Sequence, residues 1–213
     1  ISDCLWEQLE PIIPKPIDNH PLKCHKKRID NRKAMDAIFF VLRTGCQWEA
    51  LDSTAICKHS VAHKRFQEWI EAGVFETFWA RELQAYDKIK GLNLKWQSLD
   101  GAMTKSPLGG EATGKNPTDR AKKRAKRSLL TEADGIPIGI AIAGANRHDV
   151  KLAEPTIESI PIKLPKPTEK DKQHLCVDAG YTGVEELAEV FGYTLHLRPR
   201  GEEAKKLFDD AQK

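Results

Sequence analysis

No uninterrupted apolar run reaches the roughly 18 residues needed to span a membrane, so no transmembrane helix and no membrane partner are expected. The opening ISDCLWEQLE lacks the basic-then-apolar layout of a secretory signal, and it lacks an initiator methionine. Cys4, Cys24, Cys46, Cys57 and Cys176 are odd in number and contain no CxxC pair. That excludes a regular disulfide framework and fits reduced thiols in a cytosolic protein. No internal repeat is visible. Charge of one sign is not in excess either, since the net charge is only +3.

What is present is an uneven distribution of that charge. Eight basic residues (Lys105, Lys115, Arg120, Lys122, Lys123, Arg124, Lys126 and Arg127) face two acids, Glu111 and Asp119, between positions 105 and 127. A looser basic cluster comprises Lys23, Lys26, Lys27, Arg28, Arg32 and Lys33. One charge run is usually solvated surface, but two in one chain favour a polyanionic partner, because each neutralised phosphate releases counterions.

The first ninety residues read as helices. Ser2 is a cap candidate for SDCLWEQLEPII, and Pro14 and Pro16 end that element. In DNRKAMDAIFFVLRTG, Met35, Ile38, Phe39 and Leu42 follow helical spacing, with Gly45 where a C-cap glycine belongs. Ala62, Phe66, Trp69 and Ile70 form a further apolar stripe, with Ser60 as its N-cap. The opposite face carries Lys58, His59, His63, Lys64 and Arg65. A short connection into a helix with a basic first turn suits a helix-turn-helix, with Lys58, His63, Lys64 and Arg65 as DNA-binding candidates; an ordinary helical bundle with a polar face is the alternative. Trp48 and Trp69 are the expected core anchors. Cys57, His59 and His63 lack the second ligand pair that a structural zinc site needs.

After Gly91 the pattern changes to strands: LKWQSLD, a hairpin RSLLTEADGIPIGIAIAGA turning at Asp134-Gly135, a helix near 152–160, HLCVDAG, a helix GVEELAEVFG, YTLHLRP, and a last helix near 202–212. The expected class is therefore mixed α/β. A lone aspartate at a strand end often caps the next turn. Asp100 and Asp178 are more specific, because they end the first and fourth strands of a βββαβαβα order. In a ribonuclease-H-like domain those strands are neighbours, and their carboxylates would share divalent ions. Gly101-Ala102 and Ala179-Gly180 would let a nucleic-acid backbone approach. His148 and Asp149 either support that site or cap the helix that follows. GGEATGKN nearly has P-loop spacing, but Asn116 stands where the Mg²⁺-binding hydroxyl belongs, and no buried strand precedes it.

The chain resembles DDE-class insertion-sequence transposases. The likeness is carried by AIFFVLRTGCQW, HKRFQEWIEAGVFE, SLDGAMTKSPLGGEATGKNPTDR, KRSLLTEADGIPIGIAIAGANRHD and LCVDAGYTG. It implies an all-helical, helix-turn-helix-like DNA-binding domain at 1–90. Residues 91–213 would form a ribonuclease-H-like mixed sheet flanked by helices. Asp100 and Asp178 would be catalytic and would bind Mg²⁺ or Mn²⁺. The implied partners are double-stranded terminal inverted repeats and target DNA, and a homodimer that pairs two ends. The implied location is the bacterial cytoplasm, at the nucleoid. Lys105, Lys115, Arg120, Lys122, Lys123, Lys126 and Arg127 are the expected phosphate contacts beside the active site.

One departure stands out. The family's third carboxylate is a Glu on the helix after the fifth strand, preceded by Arg. Glu202, Glu203, Asp209 and Asp210 are the carboxylates within reach, and none has that flanking pattern. The catalytic Glu is then expected downstream of Lys213, and the chain as given is expected to show little or no strand transfer. A non-catalytic, transposase-derived DNA-binding protein or repressor is the alternative reading.

Overall fold

A computed structural model describes residues 1–15, 28–106 and 109–198. Lys23, Lys26, Lys27, Glu202, Glu203, Asp209, Asp210 and the helix expected at 202–212 lie outside the described residues. The chain divides into two compact units, Ile1–Glu82 and Leu83–Lys213.

The first unit is helical. Helix α1 (Asp3–Leu9) is capped by the Ser2 hydroxyl, which accepts from the Leu5 amide at 3.3 Å. Helix α2 (Asn31–Thr44) is capped by Asp30 and ends at Gly45, whose φ of 66° no β-carbon-bearing residue adopts cheaply. Helix α3 (His59–Glu71) follows a 3-10 turn over Trp48–Ser53. Its N-cap position is Lys58, not the expected Ser60; the Asp52 carboxylate accepts from the His59 amide at 2.9 Å instead. Met35, Ile38, Trp69 and Leu9 pack into one core, and Ala37, Val41, Leu51 and Ala62 into a second. Trp48 is only half-buried; its ring lies edge-on to His63 at 5.1 Å. Helix α4 (Val74–Ile89) completes the helical part, and the division between the two units falls within it.

The second unit is built on one mixed sheet. Its strands are β1 (Trp96–Lys105), β2 (Gly114–Lys115), β3 (Lys123–Thr131), β4 (Pro137–Gly144), β5 (His174–Val177) and β6 (Thr194–Leu197). Helices α5 (Val150–Glu158) and α6 (Glu185–Phe191) connect β4 to β5 and β5 to β6. β3 runs antiparallel to both β1 and β4, whereas β1, β5 and β6 are parallel. Apart from the two-residue β2, the spatial order is β4-β3-β1-β5-β6, which is the ribonuclease-H-like arrangement expected for these strands.

Period-2 alternation divides the sheet into two faces. Leu99, Leu130, Leu175 and Val177 point to a core completed by Ala153 and Ile157 of α5, with Leu187 and Phe191 of α6 packed against it. Trp96, Ser98 and Asp100 alternate to the other side of β1 and are exposed. The strand does not stop at Asp100 as expected. It continues to Lys105, because β3 keeps pairing with it through Lys105↔Arg124. Its parallel partner β5 ends six residues earlier in register, at Leu99↔Val177.

Candidate active site

That register places Asp100 and Asp178 side by side, each the next residue after the last β1–β5 pair. Adjacent strands lie about 4.8 Å apart, so the two backbones diverge from neighbouring positions. Both aspartates are exposed. Each commits one oxygen locally: Asp100 Oδ1 accepts from the Gly101 amide at 2.8 Å, and Asp178 Oδ1 from the Gly180 amide at 2.9 Å. Asp178 thus does cap the 3-10 turn Ala179–Tyr181, as a structural carboxylate would, and its other oxygen is left for a further role.

Asp149 is the third carboxylate of this region. A β-carbon placed on Gly101 would lie 2.6 Å from Asp149 Oδ1, and one on Gly180 would lie 3.2 Å from Asp149 Oδ2 and 3.0 Å from Asp178 Oδ1. The carboxylate therefore lies against the turns that follow both Asp100 and Asp178, in space that glycine leaves open. It does not cap α5: its backbone is already helical, and it makes no capping bond. Its partner is Lys126, whose Nζ sits 3.0 Å from Asp149 Oδ1 and donates to the Arg147 carbonyl at 2.8 Å.

Tyr181 lies within the field of all three acids. The ring is fully buried, and its hydroxyl lies 3.2 Å from Ser128 Oγ. Burial pushes the phenol up to about 12; the Ser128 contact opposes this, and the charges of Asp149, Asp100 and Asp178 add to it. A cleft of about 710 Å³ opens beside these residues, with His148, Asp149, Lys151, Gly180 and Thr182 in its walls.

Among the described residues no three His, Cys, Asp or Glu side chains are drawn into a ready-made metal cage. Asp100 and Asp178 nevertheless offer hard oxygens with an open approach. That donor set fits Mg²⁺, which takes few protein carboxylates and fills its remaining positions with water and phosphate oxygens. Cys57, His59 and His63 form no such group. Cys57 bonds the Lys58 carbonyl, His59 pairs with Asp52 at 2.9 Å, and His63 lies against Trp48.

The expected DNA contacts separate into two sets. Lys58, His63 and Lys64 are exposed at the start of α3, and Lys105, Lys115, Arg120, Lys122, Lys123 and Arg127 are exposed in the sheet unit. Arg65 and Lys126 are not available as phosphate contacts. Arg65 is 5% exposed, donates to Asn31 Oδ1 at 2.8 Å, and has its guanidinium pKa lowered first by burial and then by Arg28. Lys126 is 4% exposed and engaged with Asp149. The loop before β3 is also partly tied down, since Arg124 pairs with Asp119 and Lys122 lies 3.8 Å from the same carboxylate.

Sequence comparison adds two family matches. Residues 96–207 match the family described as a transposase DDE domain, and residues 1–79 match a putative transposase of the IS4/5 family. An uncharacterized 16.2 kDa protein of insertion element IS402 from Burkholderia cepacia is 26% identical over 118 residues, covering 55% of this chain and 80% of the relative. The putative transposase for IS402 from the same organism is 45% identical over 49 residues, 23% of each chain. The crystal structure of a pre-cleavage Mos1 transpososome covers 88% of this chain and 64% of its own, at 10% identity and a TM-score of 0.34. The Mos1 paired-end complex with Mn gives a TM-score of 0.32 at 11% identity, over 99% of this chain and 78% of its own. Both scores are too low to carry an argument.

Proposed function

Since the chain belongs to the DDE transposase family, whose members are metal-dependent DNA-cleaving enzymes, we propose that Asp100 and Asp178 are its catalytic metal-binding pair. Residues 91–213 would carry the chemistry and residues 1–90 the recognition of element ends. The observation that carries this reading is the β1–β5 register, which ends at Leu99↔Val177 and leaves the two carboxylates adjacent at the sheet's open margin. Divalent ions held there, Mg²⁺ or Mn²⁺, supply polarisation of a scissile phosphodiester and activation of water or a 3′-hydroxyl. The chain's own residues orient and exclude. Gly101 and Gly180 hold the two aspartate oxygens in short backbone bonds, and the Tyr181 phenol, too weak an acid to ionise at neutral pH, stays neutral among three negative charges. Lys105, Lys115, Arg120, Lys122, Lys123 and Arg127 contribute positive charge for the DNA backbone, and Lys58, His63 and Lys64 serve the helical unit in the same way. Two such chains would be needed to join two element ends, so a homodimer belongs to the proposal.

The test is nicking of plasmid DNA bearing the element's terminal repeats, with Mg²⁺ or Mn²⁺. Cleavage by the wild-type protein is expected to be slow, in keeping with the missing Arg-Glu pattern, and to disappear in Asp100→Asn and Asp178→Asn. Cleavage that persists undiminished in both variants contradicts it.

A further inference from the structure

Lys126 has no obvious reason to be buried. Removing an ammonium from water costs several kcal/mol, and a hydrophobic side chain at the same place is often as stable or more so. Yet it is 4% exposed in the middle of β3, opposite Met103 of β1. Its compensation is the Arg147 carbonyl and one oxygen of Asp149. The second contact is close but poorly aligned: although Nζ is 3.0 Å away, Asp149 Oδ1 is buried and makes no properly directed hydrogen bond. The pair is held by charge more than by directional bonding, which is the kind of contact another cation can replace.

The other oxygen of Asp149 lies toward Asp178. Oδ2 and Asp178 Oδ1 both lie close to one point beside Gly180, at 3.2 and 3.0 Å, so their separation cannot exceed the sum of those distances. The geometry points to Asp149 as an acidic neighbour whose charge acts on the divalent-metal site from beside it, with Lys126 as the positioning residue that holds it in place and offsets that charge. The inference rests on the metal-site reading above. It assigns opposite roles to the two members of one ion pair: Asp149 attracts the cation, and Lys126 repels it. A pair that served only to hold β3 against the turn before α5 would give the two residues effects of the same sign.

The experiment is Mn²⁺ titration of the full chain followed by electron paramagnetic resonance, with near-ultraviolet circular dichroism to confirm folding. Asp149→Asn, nearly isosteric, is expected to weaken Mn²⁺ binding on the order of tenfold, the scale of one unit charge acting at close range in a partly solvated site. Lys126→Gln is expected to tighten it, by about threefold or more, despite losing thermal stability. Lys126→Met serves the same purpose if the glutamine variant does not fold. Lys126 variants that bind Mn²⁺ no better than wild type, or an Asp149→Asn protein that binds it as well, overturn the inference. The Asp100→Asn/Asp178→Asn double variant separates the two claims. If it binds Mn²⁺ like wild type, the metal-site reading itself has failed; if it does not bind, only the role of Lys126 and Asp149 is at issue.

Discussion

Gly101 and Gly180 share a neighbour, the carboxylate of Asp149, and neither has the left-handed backbone that would itself forbid a side chain. Alanine at Gly101 would place its β-carbon 2.6 Å from Asp149 Oδ1, a side-chain atom that can shift against Lys126 where backbone could not. Gly101→Ala is therefore expected to fold with a loss of about 1 kcal/mol or less while weakening Mn²⁺ binding several-fold; calorimetry and titration on the same sample check both. Unchanged binding would mean that the Asp149 position has no bearing on the metal. At this scale the sequence was partly legible. The Asp100 and Asp178 pair follows from strand order, but Lys126 and Arg65 read as surface because charged residues are seldom buried. The signal that could have placed them is phase: Lys126, Ser128 and Leu130 share one face of β3, and Arg65 lies at helical spacing from Ala62 and Trp69. Arg65→Ala is accordingly expected to destabilise the helical unit by about 2 kcal/mol through the lost Asn31 bond and buried packing, as measured by urea unfolding.

Among the elements, β4 and α5 meet most tightly at Gly139, where an added β-carbon would lie 2.4 Å from the Thr156 backbone carbonyl. Backbone cannot retreat as a side chain can, so Gly139→Ala is expected to cost about 1–3 kcal/mol in chemical denaturation, unlike Gly101→Ala. The start of α3 gives a pH-dependent counterpart. Asp52 has its carboxyl held below the usual range, first by the His59 amide and then by the His59 ring. A folded-state pKa lower than the unfolded one contributes stability above about pH 4, and that contribution is lost as pH falls through the folded value. Asp52→Asn should therefore flatten the decline of the thermal midpoint on the acid side; an unchanged slope would remove Asp52 from the capping role. Element types and order were legible from periodicity and turn residues, down to Gly45 as a C-cap and Asp134-Gly135 as a hairpin turn. Element ends were less so. β1 outruns its apolar pattern because hairpin pairing with β3 satisfies its backbone regardless of side-chain type, and α3 takes its cap from Asp52, seven residues before His59, where local pattern gives no hint.

For the whole molecule, charge placement matters more than net charge. Nine of the eleven expected DNA contacts are exposed, distributed over α3 and the margin of the sheet unit. Replacing Lys64, Lys122 or Lys123 singly with alanine should weaken binding to any duplex and lower the salt dependence of affinity by about one ion each. Fluorescence anisotropy across a salt series measures it. A loss confined to one sequence would make these residues base readers instead. Among the described residues no helix is long and apolar enough to cross a membrane. The architecture as a whole was legible because strand order alone restricts it to few topologies. The place of Asp149 beside the turns after Asp100 and Asp178 was harder to see, since it follows a polar turn whose residues equally suit a helix cap.

The most direct measurement is Mn²⁺ affinity of the wild-type chain compared with Asp100→Asn and Asp178→Asn. If one cation is shared between these neighbouring strands, each single variant loses affinity on the order of tenfold or more while its thermal midpoint is kept or raised, since exposed like charges repel. Equal Mn²⁺ binding by all three proteins would show that the two carboxylates, though adjacent, do not form a metal site.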